Sequence, residues 1–517
     1  MNATIHKLIR TIAITVGLLG VISPAARATD LSWTNTAGGT FSSAGNWNPN
    51  SFPVSPGDTA TFGLTGGYQV NFTSNASSDK LTITNSNTVT FDMAGKTYTA
   101  SITANNPGIV IGGTAKLILS DSVGTNGLLR NLAVANNVPI SIGGSGLEMN
   151  TSLGFGTTFT IHGDFNALAP ILVTGAGSVL NHDQSFFNVS TGSSLTITNG
   201  GRVNGANFQQ VNNGAPIVID GVGSLLKTTA NGARVGQFGG TVNIKNGGTW
   251  DTSGLQFEMG VSSGNPVITV GNGVNTSSIF ASDFRFGTTF DPNRGAPELI
   301  VKNGGLIRAT STANSIFIYD QGTLTMNGGI AEVAAGGQVV VADINGTGAK
   351  GLLRGSGTLT RYLAGSNFSI TNNGSIRPGD TNATARIGTL SVVNGDLVQY
   401  SGGTLFDDLG AGGIGDFIDI SGGAATIGGT NLISFGAYTP QVGDKWELLR
   451  ADTITYTAVN NIAAALTPFG LQSQYSLFIL PDDGTGRQGL FLSIPEPSAV
   501  ALLGLAGLLF IRKRAQR

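Results

Sequence analysis

The chain has 517 residues, 78 glycines, no cysteine and only 11% charged residues. Glycine at this density without a Gly-X-Y period excludes collagen, 40% hydrophobic residues exclude wholesale disorder, and the absence of cysteine excludes a disulfide framework. The formal charge is −2, from 27 basic and 29 acidic residues, and no basic run lies between the two ends, which argues against a nucleic-acid partner.

Lys7 and Arg10 precede an apolar stretch from Thr11 to Ile22, and Ala26 and Ala28 follow in an A-x-A arrangement. This order describes a secretory signal peptide over residues 1–28, cut after Ala28, the other reading being a buried helix. The expectation is an exported protein held together by packing and hydrogen bonds. Removing both ends takes away seven basic residues and Glu496, so the counts become 20 and 28 and the charge −8.

The stretch 29–110 begins with Trp33 and Trp47, two of four tryptophans, among Pro49, Pro53 and Pro56. Aromatics and prolines at the start of a solenoid suit a cap over its first open edge. The functional reading of the same tryptophans is carbohydrate stacking.

Residues 111–350 read as short strands with turns. Apolar and polar residues alternate from Lys80 to Met93, Ser194 to Thr198, Thr241 to Lys245, Glu298 to Lys302 and Thr323 to Met326. The last four end in Asn-Gly-Gly, with the asparagine at Asn199, Asn246, Asn303 and Asn327. A second theme, proline, apolar strand and Gly-x-Gly, starts at Pro139, Pro170, Pro216 and Pro266, and FGTTF occurs at Phe155 and again at Phe286. The spacing is too irregular for propeller blades or helical repeats. It predicts an all-β fold: an irregular right-handed parallel β-helix in which each coil lies on the last, coils vary in length, Gly supplies positive φ at corners and Asn forms ladders. Gly247 and Gly304 are expected at such corners. Stacked jelly-roll-like sandwiches are the alternative, because the last hundred residues look more antiparallel.

Residues 351–494 form a C-terminal β region. Asp407, Asp408, Asp416 and Asp419 flank "GAGGIG" there and make the densest acidic cluster, and "PDDGTGRQG" from Pro481 reads as a hairpin tip. Both read as solvated turns, with a structural Ca²⁺ left open. His162 and His182 lie beside Asp164 and Asp183, but their spacing is not diagnostic of a metal site and they read as exposed turn histidines. No catalytic set, cofactor or metal is assigned. A carbohydrate-active β-helix enzyme, a polysaccharide lyase or hydrolase, is the alternative to a structural protein. It requires three or more carboxylates on one outer face of adjacent coils.

The last segment, 495–517, has Pro495, Glu496 and Pro497, a 13-residue apolar run from Ala499 to Ile511, and the basic cluster Arg512, Lys513 and Arg514. As a helix the run spans about 20 Å, short of the roughly 30 Å hydrocarbon core. The prolines keep the triplet extended, and the basic cluster holds the cytoplasmic side. This order resembles the PEP-CTERM sorting signal of bacterial exported proteins. The resemblance implies that an exosortase-type enzyme recognises the triplet and removes the tail after transient anchoring in the inner membrane. A plain C-terminal membrane anchor is the bland reading. Gly355-Ser356-Gly357-Thr358-Leu359, Asn373-Gly374, Pro378-Gly379 and Gly388-Thr389-Leu390 resemble autotransporter-associated β-strand repeats. That implies an exported β-helix and no particular reaction. The expectation is a structural or adhesive protein of the cell surface or extracellular matrix, with exopolysaccharide as a partner.

Overall fold

The computed structural model describes residues 29–496, apart from 55–56, 86, 103–107, 113–114, 124–126, 134–139, 143–145, 150–157, 162–164, 168–169, 190–191, 211–214, 231, 236–238, 253, 261–263, 288–294, 314, 344–347, 380–386 and 482–485. The signal-peptide residues Ala26 and Ala28, Pro497, and the basic cluster Arg512, Lys513 and Arg514 lie outside the described residues. So do His162 and Asp164. Among the described residues no helix is long and apolar enough to cross a membrane.

The chain is a parallel β-solenoid. Its strands are short, and their burial alternates residue by residue, as in Ile217–Asp220 and Val267–Val270. This is the pattern of a sheet with one face in a core and one in water. Strands of successive coils pair in register and stack into columns. In one column Leu195, Ile217, Val242, Ile268, Leu299, Leu324, Leu353, Ile376 and Leu405 lie one upon another, all pointing inward. Consecutive members differ by as few as 22 residues (Leu195 to Ile217) and as many as 31 (Ile268 to Leu299). Extra residues leave as loops while the column stays in step, which explains the irregular repeat of the sequence.

Aromatic rings fill the wider parts of the core. Phe187, Phe208, Trp250, Phe257 and Phe284 form a continuous run with neighbouring centroids 5.0 to 5.6 Å apart. The Trp250 indole N–H donates to Thr228 Oγ1 at 3.2 Å, so the ring is buried without stranding its polar edge.

The turns follow the expected chemistry. Asn199 and Gly200 have φ of 52° and 83°, and Asn246 and Gly247 have 53° and 94°. Gly304 has φ of 74°. Asn246 donates to Asp220 Oδ1 at 2.7 Å and receives Asn272 Nδ2 at 2.5 Å, a short ladder along one corner. A Cβ on Gly247 would stand 2.8 Å from Val222 Cγ2, in a backbone region a branched residue resists. Gly247→Val is therefore expected to destabilise by about 1 to 3 kcal/mol. Thermal melting of the variant checks this, and unchanged melting would remove the turn assignment.

The ends are closed differently. At the start, Asp30–Trp33 pairs antiparallel with Trp47–Asn48 and parallel with Thr59–Phe62. At the far end parallel pairing continues through Asn460. The antiparallel part is confined to Lys445–Ala451, Ser476–Pro481 and Gln488–Ser493. The last two strands make the hairpin read at "PDDGTGRQG". The helix Ile462–Leu466 buries Ile462 and Leu466 against the end of the stack. Its preceding residue, Asn461, does not cap it. Instead that side chain accepts from Ile433 N–H at 2.6 Å and donates to Ile433 C=O at 3.2 Å, tying the helix to the last coils.

Candidate functional site

The acidic cluster of the sequence becomes a compact site, though not a solvated turn. The column that ends in Leu405 has a neighbouring inward column two residues along each strand: Ile197, Ile219, Ile244, Val270, Val301, Met326 and Gly355. Asp407 occupies the corresponding place two residues after Leu405, with Ile433 paired in register on the next coil. Its side chain is fully buried, and neither carboxylate oxygen has a hydrogen-bond partner in good geometry, the Asn431 amide standing close by. Burial pushes its pKa well above the usual carboxylate range. Asp416 and Asp408 add to the shift, and the Asn431 amide opposes it. Asn431 is itself fully buried at the position where the first column had held only apolar side chains for many coils.

Asp416 is brought back by the turn. The backbone leaves after Leu409, bends through Gly412 and Gly413 at φ of 68° and 78°, and returns in a bridge between Leu409 and Gly415. Asp416 then accepts Asp408 N–H and Gly388 N–H, each at 3.0 Å. The two bonds oppose the effect of burial, yet its pKa still stands at about 7. The correction to the solvated-turn reading has a simple cause. Asp416 supplies acceptors for backbone donors inside the fold, a task the turn alone would leave to water.

Asp408 is the member that faces outward. It forms an ion pair of 2.6 Å with Arg377 from the previous coil. It also lines a cleft of about 630 Å³ with Ile387, Leu409, Phe435 and Tyr438. The Tyr438 hydroxyl donates to Asp444 Oδ2 at 2.6 Å, and that bond pushes its pKa up to about 12. Asp419 is not part of the cluster. It lies on the outer face of Phe417–Ser421, paired with Arg487 from the hairpin at 2.5 Å.

The other sequence candidates are placed as follows. Trp33 and Trp47 are 1% and 3% exposed and pack edge-to-face at 5.2 Å. Their indole N–H groups donate to Asn35 C=O and Phe41 C=O, each at 2.7 Å. They form the cap and offer no ring to a sugar. His182 is not an exposed turn residue. It lies in the long strand Val179–Val189, is 2% exposed, and meets Phe187 edge-on at 5.7 Å. Gly205 pairs with it in register on the next coil. The Asp183 side chain is outside the described residues. Among the described residues no three His, Cys, Asp or Glu side chains are grouped to hold a metal. Pro495 and Glu496 follow the last strand directly and are exposed.

One arrangement escaped sequence reasoning. Charged side chains on the outer faces are stacked in opposite-sign pairs on adjacent coils. Asp220 pairs with Lys245 at 3.2 Å, Lys227 with Asp251 at 3.9 Å, Arg234 with Glu258 at 3.3 Å and Arg308 with Glu332 at 2.5 Å, each in strand register. Arg308 also covers the Phe280 ring at 5.1 Å on the coil below. Arg354 reaches Glu298 two coils back at 2.8 Å, with Thr325 between them. Only the coil lengths set these juxtapositions, so no short motif reports them.

No family model matches the chain, and no curated protein matches it.

Proposed function

We propose that the protein is an exported structural or adhesive scaffold of the bacterial cell surface or extracellular matrix, released or anchored through its Pro495-Glu496-Pro497 segment. The observation that carries this reading is the paired outer surface of the solenoid. Each exposed pair contributes only about 0.2 to 1 kcal/mol, so the ladders do little for total stability. Their effect is on register, because a slip would separate these pairs and turn inward residues outward. A long stack of fixed register, its outer charges paired between coils, serves as a spacer. The carboxylates Asp220, Asp251, Glu258 and Glu332 each face a cation, which favours this reading over an acid–base enzyme.

Export and processing are supported by the order of features at both ends of the chain. The exposed Pro495 and Glu496 stand just past the last strand, where a processing enzyme has access to an extended backbone. The test is mass spectrometry of the native protein with cell fractionation. The expected species begins at Thr29 and lacks Arg512 to Arg514. Replacing Pro495 and Pro497 with Ala should leave uncut protein in the membrane fraction. A native surface protein that still carries Arg517 would make the tail an ordinary anchor.

A further inference from the structure

A depression of about 440 Å³ lies on the outer face of the C-terminal coils, in the size range of small-ligand sites. Its walls are Lys350, Ser375, Arg377, Thr404, Phe406 and Leu432. Ser375 and Thr404 are paired in register, as are Phe406 and Leu432, so hydroxyls and apolar groups stand in adjacent rows on consecutive coils.

The charges of this groove are unlike those of the ladders. Lys350 has no carboxylate within ion-pair distance among the described residues. Its Nζ donates to Gly402 C=O at 2.7 Å and Thr404 Oγ1 at 3.0 Å. An ammonium has three donors, so one remains. Arg377 spends one amino group on Asp408, and its Nε is buried without a partner. A buried donor without an acceptor is unfavourable. The Arg377 guanidinium stands 5.9 Å from the Phe406 ring centroid, closing the floor between cation and aromatic face.

We infer that this groove binds a carboxylate-bearing sugar, a uronate residue of an acidic polysaccharide. The charge count selects the class. Arg377 and Asp408 cancel, which leaves Lys350 as one uncompensated cation and calls for one negative charge. A phosphate monoester brings nearly two, and a sulfate ester, which brings one, is the competing outcome of the test. The carboxylate accepts from Lys350 Nζ, a bond that is strong because both partners are charged, with the Arg377 guanidinium adding its field from the floor. The Ser375 and Thr404 hydroxyls meet sugar hydroxyls. Phe406 and Leu432 take the apolar face of the ring. The site deepens the scaffold reading and rests on it only for where the protein meets such a polymer.

The test is isothermal titration of the full chain with tri-galacturonate. Saturable binding is expected. Lys350→Gln should weaken it by about tenfold or more with unchanged melting, the usual effect of losing a hydrogen bond to a charged group. Phe406→Leu, which keeps apolar volume and removes the ring, should also weaken it. The carboxyl-reduced, neutral trimer should bind as poorly to the native chain as the acid does to Lys350→Gln. The assignment is overturned by no binding of tri-galacturonate, by equal binding to Lys350→Gln, or by equal affinity for a sulfated dextran oligomer. Fractionation of the cell is a separate readout. A chain that binds the trimer but stays uncut in the membrane would keep the groove and remove the released-scaffold reading.

Discussion

Asp407→Leu is expected to stabilise the C-terminal coils by about 1 to 3 kcal/mol at pH 7 and to flatten their dependence on pH. Leu has nearly the shape of Asp, and the earlier coils of the same column hold Ile219, Ile244 and Val270. The substitution replaces two unpartnered buried oxygens with methyl groups, which removes an unmet desolvation penalty of that size. The pH effect has a definite sign. The folded-state pKa of Asp407 is raised well above 3.8 by burial, then by the Asp416 and Asp408 charges, and Asp416 is raised to about 7. An unfolded chain releases these protons near pH 4, whereas the folded chain keeps them. The folded state therefore binds more protons between those values, and stability falls as pH rises from about 4 to about 7 and beyond. In the variant the contribution of Asp407 disappears and that of Asp416 remains, since burial and the Asp408 charge raise Asp416 independently of Asp407. Urea unfolding at pH 5 and pH 8, followed by tryptophan fluorescence with Trp33, Trp47 and Trp250 replaced by Phe in both chains so that Trp446 alone reports, measures both effects. A native protein more stable at pH 8 than at pH 5 would reverse the sign and defeat the argument.

The same residue shows what the sequence made legible. The turns were readable because they depend on neighbours in the chain. Asn-Gly-Gly places positive φ at Gly247 and Gly304 wherever the coil lies, and alternation marks the inward residues of each strand. Asp407 was not readable as buried. An aspartate beside "GAGGIG" has the composition of a solvated turn, and only the register with Ile433 reveals that it continues an aliphatic column. The ion-pair ladders were hidden for the same reason. Lys227 meets Asp251 across 24 residues, Arg308 meets Glu332 across 24, and Arg354 meets Glu298 across 56, so coil length must be known first. His182 illustrates a third case. Its inward place is set by register with Gly205 one coil away, which the local sequence cannot announce. The site around Arg377 combines all three, since its donors, hydroxyls and ring come from strands brought together only by stacking.

Trp33→Ala is expected to cost about 3 to 5 kcal/mol, the usual range for removing a buried tryptophan, with the loss confined to one end of the molecule. Trp33 packs on Trp47 at 5.2 Å, Phe62 at 5.6 Å and Tyr68 at 6.4 Å. With Trp47, which meets Phe62 at 5.3 Å, it joins the antiparallel cap to the first parallel coils. A solenoid is held mainly by contacts between neighbouring coils, so damage at the cap is not shared by the whole chain. Loss of the cap exposes the unpaired edge of Thr59–Phe62, which pairs only with Asp30–Trp33 on that side and with Lys80–Ile83 on the other. Hydrogen exchange should therefore show protection falling first in Thr59–Phe62 and Lys80–Ile83, with Lys445–Ala451 unchanged. The bared edge is also a template for another chain, so the variant should form larger species as its concentration rises, visible by light scattering. The two readouts separate a cap from a ligand-binding aromatic. A sugar-stacking tryptophan could be removed with no change in exchange at these strands, and that outcome would return Trp33 to a functional role.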